Sequence, residues 1–307
     1  MSDAITQPGI YYDISANEYF SDPCPDPSFT QSLAKVVLDQ SARHAMIQHP
    51  RLYPVAEPKK ETYSAALAIG NAAHMRLIGR GKELFLIHAD DFRTKDAQKL
   101  RGSAIENGRT PILWHHLERA ESMVSHCRDQ LLCAGWEDAF REGRGEVVLA
   151  WQEDGMWLRT MIDWFVDPTE VYDFKTGGGS FAPHVIAFKA EQDGWDIQAA
   201  MHERALDAIF PESSGRRRLR YVCQENYPPY AMLPVEMSEH WLTMGRKKLD
   251  MAIAIWRRCL KSGNWESYPL RPMTMEYPSY KETRWLDREL SHDDQSRERM
   301  LTDLSGG

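Results

Sequence analysis

Between Gly145 and Gly179 the chain reads GEVVLAWQEDGMWLRTMIDWFVDPTEVYDFKTGGG, a stretch that allows few folds. Three runs rich in Val, Ile, Trp, Phe and Tyr, Glu146 to Trp151, Met156 to Val166 and Val171 to Thr176, are separated by turn pairs at Asp154-Gly155 and Asp167-Pro168. Such punctuation predicts three strands joined as a meander. Alternate residues of a strand share a side, so Asp173 and Lys175 project together while Tyr172, Phe174 and Thr176 turn into packing. The same alternation groups Asp163 with Trp157, Arg159 and Met161, and a neighbouring strand brings it beside Asp173. Two carboxylates converging from adjacent strands suit a hard, oxygen-seeking cation such as Mg2+. An acidic residue two before a lysine is common in itself. Glu57-Pro58-Lys59 has the same spacing, but its proline and polar surroundings exclude a central strand.

The whole chain, 307 residues with 42% hydrophobic content, is enough for one large domain with appendages or two modest ones. No run of eighteen apolar residues occurs, and the start, MSDAITQPGIYYD, has neither a basic nor an apolar leader pattern. A cytoplasmic protein with no membrane contact is expected. Cysteines at 24, 127, 133, 223 and 259 make no CxxC pair, which argues against a zinc ribbon, a disulfide framework or an iron-sulfur cluster. A net charge of -8 speaks against non-specific coating of nucleic acid, where phosphate contacts need Lys and Arg. Local clusters remain as candidate phosphate contacts: Arg216-Arg217-Arg218 with Arg220, Arg246-Lys247-Lys248, and Arg257-Arg258.

In chain order, a Pro- and Asp-rich loop reaches Pro27, and a helix pair follows to about His49-Pro50, with Ser or Thr available as caps. Residues 51–61 read as a polar linker. From Thr62 to Ile78 a helix is expected whose stripe of Leu67, Gly70, Asn71, His74 and Ile78 faces inward, its many small residues allowing close approach to a sheet. Residues 81–112 read as charged and irregular, with Leu84 to Ile87 a short strand. Trp114 to Cys133 reads as an amphipathic helix. Trp195 to Phe210 reads as a helix stopped by Pro211, with Gln198 and His202 on its packing stripe. Arg218 to Gln224 and Tyr230 to Val235 form a predicted hairpin around Pro228-Pro229, Glu239 to Lys261 a long helix, and the tail beyond Arg284 frays or serves as an interaction arm.

The order helix, three strands, helix, two strands, helix, with carboxylates on the second and third strands, resembles the PD-(D/E)XK nuclease superfamily. Within it the chain is similar to the branch of bacterial exonuclease VIII and its prophage relatives, and more distantly to phage lambda exonuclease. Gly9-Ile10-Tyr11-Tyr12-Asp13 and Ser28 to Leu33 are similar to that branch's opening segment. Gly70 to His74 match its helix histidine, Glu146 its first-strand acid, Asp163 its second-strand aspartate, Asp173-Phe174-Lys175 its third-strand D-x-K, and Gln198 its helix glutamine. Two positions depart from the pattern: His202 stands where the nuclease helix often carries tyrosine, and Ile162 replaces the proline of the PD pair.

The resemblance implies an α/β restriction-endonuclease-like core, a mixed sheet flanked by helices in α-β-β-β-α-β order, over residues 62–265. An N-terminal helical extension and linker (1–61) and a C-terminal tail (266–307) complete the expected domain plan. These residues allow hydrolysis of a phosphodiester by metal-activated water. Asp163, Asp173 and the Phe174 carbonyl are expected to hold one Mg2+, with Mn2+ as substitute, while His74 and Glu146 complete or bridge a second position about 3.5–4 Å away. Lys175 would orient or deprotonate the water, its pKa lowered by the metal, and Gln198 would steady the lysine or the phosphate. Arg217, Arg218, Arg220, Lys247 and Lys248 are the expected DNA contacts. The implied activity is digestion of double-stranded DNA from a 5' end to leave a 3' overhang, with a single-strand-annealing recombinase as partner and a trimeric or tetrameric ring as the assembly. The alternatives are a structure-specific or single-strand nuclease on the same scaffold, or a catalytically silent DNA-binding module.

Overall fold

Hydroxyl caps decide where the early helices start. After strand β1 (Gly9–Tyr11) come α1 (Ala16–Phe20), α2 (Gln31–Asp39) and α3 (Ala42–Gln48), headed by Ser15, Thr30 and Ser41, each of which accepts a backbone N–H of the first turn. Helix α4 (Ala65–Ile78) begins on Ser64 and stops at Gly79, whose φ of 78° is the left-handed conformation that ends many helices. A computed structural model of the chain describes residues 5–53 and 63–305, with side chains as far as His292. Most of the expected polar linker, residues 54–61, and the start of the predicted helix at Thr62 therefore lie outside the described residues.

Residues 81–112 are more ordered than their composition predicts. They contain strand β2 (Leu84–Ile87), helix α5 (Lys95–Glu106) and strand β3 (Thr110–Leu113), with β2 and β3 paired in parallel. Helix α5 buries only Ala97 and Ala104, which leaves little apolar periodicity to read. Next come α6 (Trp114–Cys133), β4 (Arg144–Glu153), β5 (Met156–Asp167) and β6 (Glu170–Gly177), the expected meander. Helices α7 (Ile186–Asp193) and α8 (Trp195–Ile209) then cross over to β7 (Arg218–Glu225), which turns through Pro228-Pro229 into β8 (Met232–Glu236) and α9 (Glu239–Ser262).

The result is a mixed α/β architecture. Six strands are ordered β1-β4-β5-β6-β7-β8, antiparallel throughout except for the parallel pair β6 and β7 that the crossover creates. One side of the sheet buries Leu149, Leu158 and Tyr221 against Met201 of α8, Leu33 of α2 and Trp256 of α9. The other buries Tyr172, Phe174 and Val222 against Ala72 and Ala73 of α4 and Met123 of α6. As expected from its small residues, α4 lies close to the sheet: a Cβ on Gly70 would come 2.5 Å from Thr176 Oγ1. The inward stripe starts at Gly70, however, because Leu67 is 55% exposed.

Contacts divide the chain into two units, Met1–Ser267 and Tyr268–Gly307. Strand β1 pairs with β4, and α2 and α3 pack on α9, so the described N-terminal residues are part of the first unit. The second unit contains α10 (Ser279–Ser305), a continuous helix through the tail that was expected to fray or serve as an interaction arm. No helix among the described residues is long and apolar enough to cross a membrane.

Candidate active site

Strands β5 and β6 are paired only at one end, through Trp164↔Tyr172, Phe165↔Val171 and Asp167↔Glu170. Beyond that point they separate, so Asp173 and Lys175 stand past the last pair, at the edge of a cleft. A strand leaving its neighbour exposes backbone groups that must find other partners. Asp163 supplies one: its Oδ2 accepts the Phe174 N–H at 2.9 Å. A strand residue turns its N–H and C=O to the same edge, so the Phe174 carbonyl faces this cleft too.

The carboxylates of β4 and β5 sit where both strands change face. Gly145 lies against Ile78 of α4, whereas Val147 packs on the α8 side; on β5, Ile162 packs on the α8 side and Trp164 on the α4 side. Residues two apart share a side in a regular strand, so alternation breaks at the residues between them, Glu146 and Asp163. The flanking pairs Gly145↔Trp164 and Val147↔Ile162 set these two opposite one another, and Glu146 has a φ of 50°. A left-handed glutamate inside a strand is strained, a state that persists where surrounding structure enforces it. The expected grouping of Asp163 with Trp157, Arg159 and Met161 is thereby corrected: its carboxylate reaches across the gap to β6.

His74 of α4 joins from above, its Nε2 3.5 Å from Asp163 Oδ1. Glu146 is close by, since a Cβ on Gly81 would lie 3.5 Å from His74 Nδ1 and 3.7 Å from Glu146 Oε1. Gly81 has a φ of 141°, a conformation glycine alone adopts readily. On β6, the Lys175 Nζ is 2.7 Å from Asp173 Oδ1 and donates to Gln198 Oε1 at 2.8 Å, while Gln198 Nε2 donates to Asp173 Oδ2 at 2.6 Å. The three side chains close a ring. The structure thus brings His74, Glu146, Asp163, Asp173, Phe174, Lys175 and Gln198 to one place.

Charge is unevenly shared there. Burial and the neighbouring Asp163 charge push the Asp173 carboxyl up to about 6, against the pull of Lys175. Burial also opposes ionisation of Asp163, but the charge and hydrogen bond of His74, with Lys175 and the Phe174 N–H, hold it down at about 2. His74 and Lys175 lose from burial, yet the carboxylates outweigh that loss and raise both. Without a metal, the protein's own charges therefore keep Lys175 protonated; the lowering expected from a metal charge is a separate effect. Burial raises Glu146.

Three carboxylates and an imidazole make an oxygen-rich donor set of the kind that suits Mg2+ or Mn2+. Asp173 Oδ1 fits a ligand role further, being buried without directed hydrogen-bond geometry although Lys175 lies in ion-pair range. Among the described residues no three His, Cys, Asp or Glu side chains are close enough as placed to hold an ion. Lys175 and Gln198 occupy Asp173, and the Phe174 N–H occupies Asp163.

The predicted DNA contacts are not gathered beside this cleft as one basic surface. Arg217 is buried, donating to Asp207, to Ser213 and to the carbonyls of Pro168 and Phe210, so it ties the crossover to the strand that follows. Arg220 is held by Glu170, Glu236 and Tyr172, and Lys248 by Glu191 and Asp196. Arg246 is likewise paired with Glu203 and Glu239. Arg218 is 58% exposed beside Glu170, and Lys247 is exposed. Sequence reasoning passed over Trp195 and Tyr221, whose stacked rings stand 5.7 and 5.9 Å from the Lys175 ammonium. Trp195 had a signal in the sequence, one turn before Gln198; Tyr221 had none, since its register with Asp173 comes from the parallel pairing of β6 with β7.

No family model matches this chain, and no curated protein matches it. A solved structure does. A provisionally assigned exonuclease of Eubacterium rectale superposes with a TM-score of 0.54 at 11% identity, over 88% of this chain and 96% of that one. The two share a fold. Two structures of the alkaline exonuclease LHK-Exo of Laribacter hongkongensis, one in complex with dAMP, match 64% of this chain and 96% and 93% of theirs, at 13% and 12% identity. Their TM-scores of 0.23 and 0.24 are too low to bear on the architecture.

Proposed function

We propose that the chain is a metal-dependent DNA exonuclease of the PD-(D/E)XK type. The observation that carries this reading is the convergence of Asp163, Asp173, Lys175 and Gln198 where β5 and β6 part. A buried and a part-buried carboxylate driven apart in pKa beside a part-buried lysine are costly to keep for stability alone, and such groups are concentrated at reactive centres. The shared fold with the Eubacterium rectale protein agrees with a nuclease scaffold, although fold by itself does not assign function.

Mg2+, or Mn2+, would be held by Asp163, Asp173 and the Phe174 carbonyl, with His74 and Glu146 at a second position, and it supplies Lewis-acid activation of water and of the scissile phosphate. The chain's own residues do the rest. Lys175, kept cationic by Asp173 and Asp163, orients the attacking water and the phosphate oxygens. Gln198 fixes both Lys175 and Asp173 through its two ends. Trp195 and Tyr221 screen the ammonium from bulk water and add cation–π attraction.

Digestion from a 5' end to leave a 3' overhang, pairing with a single-strand-annealing recombinase and closure into a trimeric or tetrameric ring rest on the resemblance to the exonuclease VIII branch. Enclosure would answer a physical difficulty, since a chain of net charge -8 is repelled at long range by duplex DNA. Arg217, Arg220, Arg246 and Lys248, among the candidate phosphate contacts, are neutralised within the chain, which leaves Arg216, Arg218 and Lys247 exposed. Digestion of duplex labelled at one end, with and without Mg2+, tests the reading: Mg2+-dependent release of mononucleotides from the 5' end supports it, and inert duplex under both conditions sinks it. Light scattering at micromolar concentration tests the ring.

A further inference from the structure

His202 lies on α8 one turn beyond Gln198, 2% exposed, and has no part in the ring formed by Asp173, Lys175 and Gln198. The edge of β5 that faces the cleft explains its presence. Trp157 and Arg159 of β5 turn their backbone groups to that edge, and by the period of two so does Met161. Phe29 meets the first two, donating its N–H to the Trp157 carbonyl at 2.9 Å and accepting the Arg159 N–H at 3.0 Å. Met161 is next, beyond the reach of this bridge and short of Trp164, where pairing with β6 begins. The His202 imidazole hydrogen-bonds the Met161 backbone there. The following odd residue is Asp163.

A histidine kept only to fill space would be replaceable by an apolar residue of its size. His202 retains a cost such a residue avoids, since its Nε2 is buried with no hydrogen-bond partner, and a buried acceptor left unpaired carries its full desolvation penalty. Burial, followed by the Lys175 charge, lowers its pKa to about 4, so at neutral pH the ring has one N–H, and the Met161 carbonyl takes it.

We propose that His202 is a positioning residue: by holding the Met161 carbonyl in the gap between β5 and β6, it fixes the strand edge on which Asp163 stands and keeps the cleft from collapsing. The catalytic part of this inference rests on the nuclease reading; the positioning of Asp163 is tested independently. The full-length chain is compared with His202→Leu, which keeps bulk and loses the donor, and His202→Gln, which keeps a donor of similar reach. Three readouts are taken: kcat and KM on end-labelled duplex, calorimetric binding of Mn2+, and the melting temperature. The expected result for His202→Leu is a loss of about tenfold to a hundredfold in kcat and in Mn2+ affinity, as for other residues that orient a ligand, with KM for DNA within roughly twofold. His202→Gln should recover both to within about threefold of the parent. A fully active leucine variant with unchanged Mn2+ affinity overturns the proposal. So do leucine and glutamine variants that lose activity equally and in step with melting temperature, since that marks a packing role. A parent that cleaves no DNA, while Mn2+ binding still separates leucine from glutamine, overturns the nuclease reading and supports the positioning role.

Discussion

Strand β5 carries two charged side chains four residues apart, Arg159 buried and Asp163 part-buried, and they are treated in opposite ways. Around Arg159 the charges are met. Its guanidinium donates to Asp22 Oδ1 at 2.9 Å, to the Tyr19 carbonyl and to Ser28, while Asp22 also accepts from the Ser28 backbone and hydroxyl and lies 3.3 Å from His49 Nε2. Burial alone would raise Asp22, but His49, Arg159 and Ser28 hold it below the ordinary carboxylate range. Around Asp163 the demands conflict: Asp173 is pushed up to about 6, its Oδ1 lacks a directed hydrogen bond, and Glu146 has a left-handed backbone. Burial is common to both clusters. What separates a structural ion cluster from a reactive one is whether its charges are satisfied within the fold, and only the second has capacity left for a ligand.

The largest effect expected from this contrast is at Asp173. Asp173→Asn should reduce DNA hydrolysis by about a thousandfold or more, while the melting temperature holds or rises because repulsion with Asp163 is relieved. Turnover near the parent's would show that the cleft is not reactive. Lys175→Ala should cost about a hundredfold or more in rate and leave Mn2+ binding in place, as a cation is no ligand; calorimetry showing no binding would remove it from the catalytic role. Arg159→Met should do the reverse, costing about 3–5 kcal/mol in urea unfolding by stranding buried Asp22, with near-parental hydrolysis at low temperature. A melt unchanged from the parent would erase the distinction between the clusters.

The smallest expected effect is a pH dependence, and its sign differs between the clusters. Asp173 has a raised folded pKa, so the metal-free fold gains stability as pH falls from about 6 toward the unfolded value of about 4. The stability advantage of Asp173→Asn over the parent should therefore shrink between pH 7 and 5. Asp22, with a depressed folded pKa, contributes stability that is present above the unfolded value and is lost as pH falls through the folded one. Melts of the parent and Asp173→Asn across this range check the first; a gap that widens on acidification contradicts it.

The sequence made the meander, the D-x-K spacing and the inward His74 legible because each is a local pattern: period two in strands, period three to four in α4. Gly70 was legible for a similar reason, as small residues are grouped on that face. The change of face at Glu146 and Asp163 was not, because no letter marks a left-handed glutamate as glycine marks a turn. That Arg217, Arg220 and Lys248 are ion-paired was not legible, because the acids that neutralise them lie on other elements: Asp207 on α8, Glu236 on β8, and Asp196 at the head of α8. Helix α5 was missed because a helix that buries two alanines has almost no apolar rhythm.

The parting of β5 from β6 also bears on the order in which the molecule gains its chemistry. Asp173 and Gln198 are 25 residues apart, joined by the crossover through α7 and α8, so that half of the site closes over a short loop at modest entropic cost. His74 must find Asp163 across the intervening β2, α5, β3, α6 and β4, a longer closure that adds more to contact order and slows folding. A chain still being synthesised reaches the lysine half only after β6 and α8 have emerged, and the histidine half waits on the docking of α4, secured at Gly70 against Thr176. Competence to cut a phosphodiester would then be a late-acquired property, absent from partly folded chains.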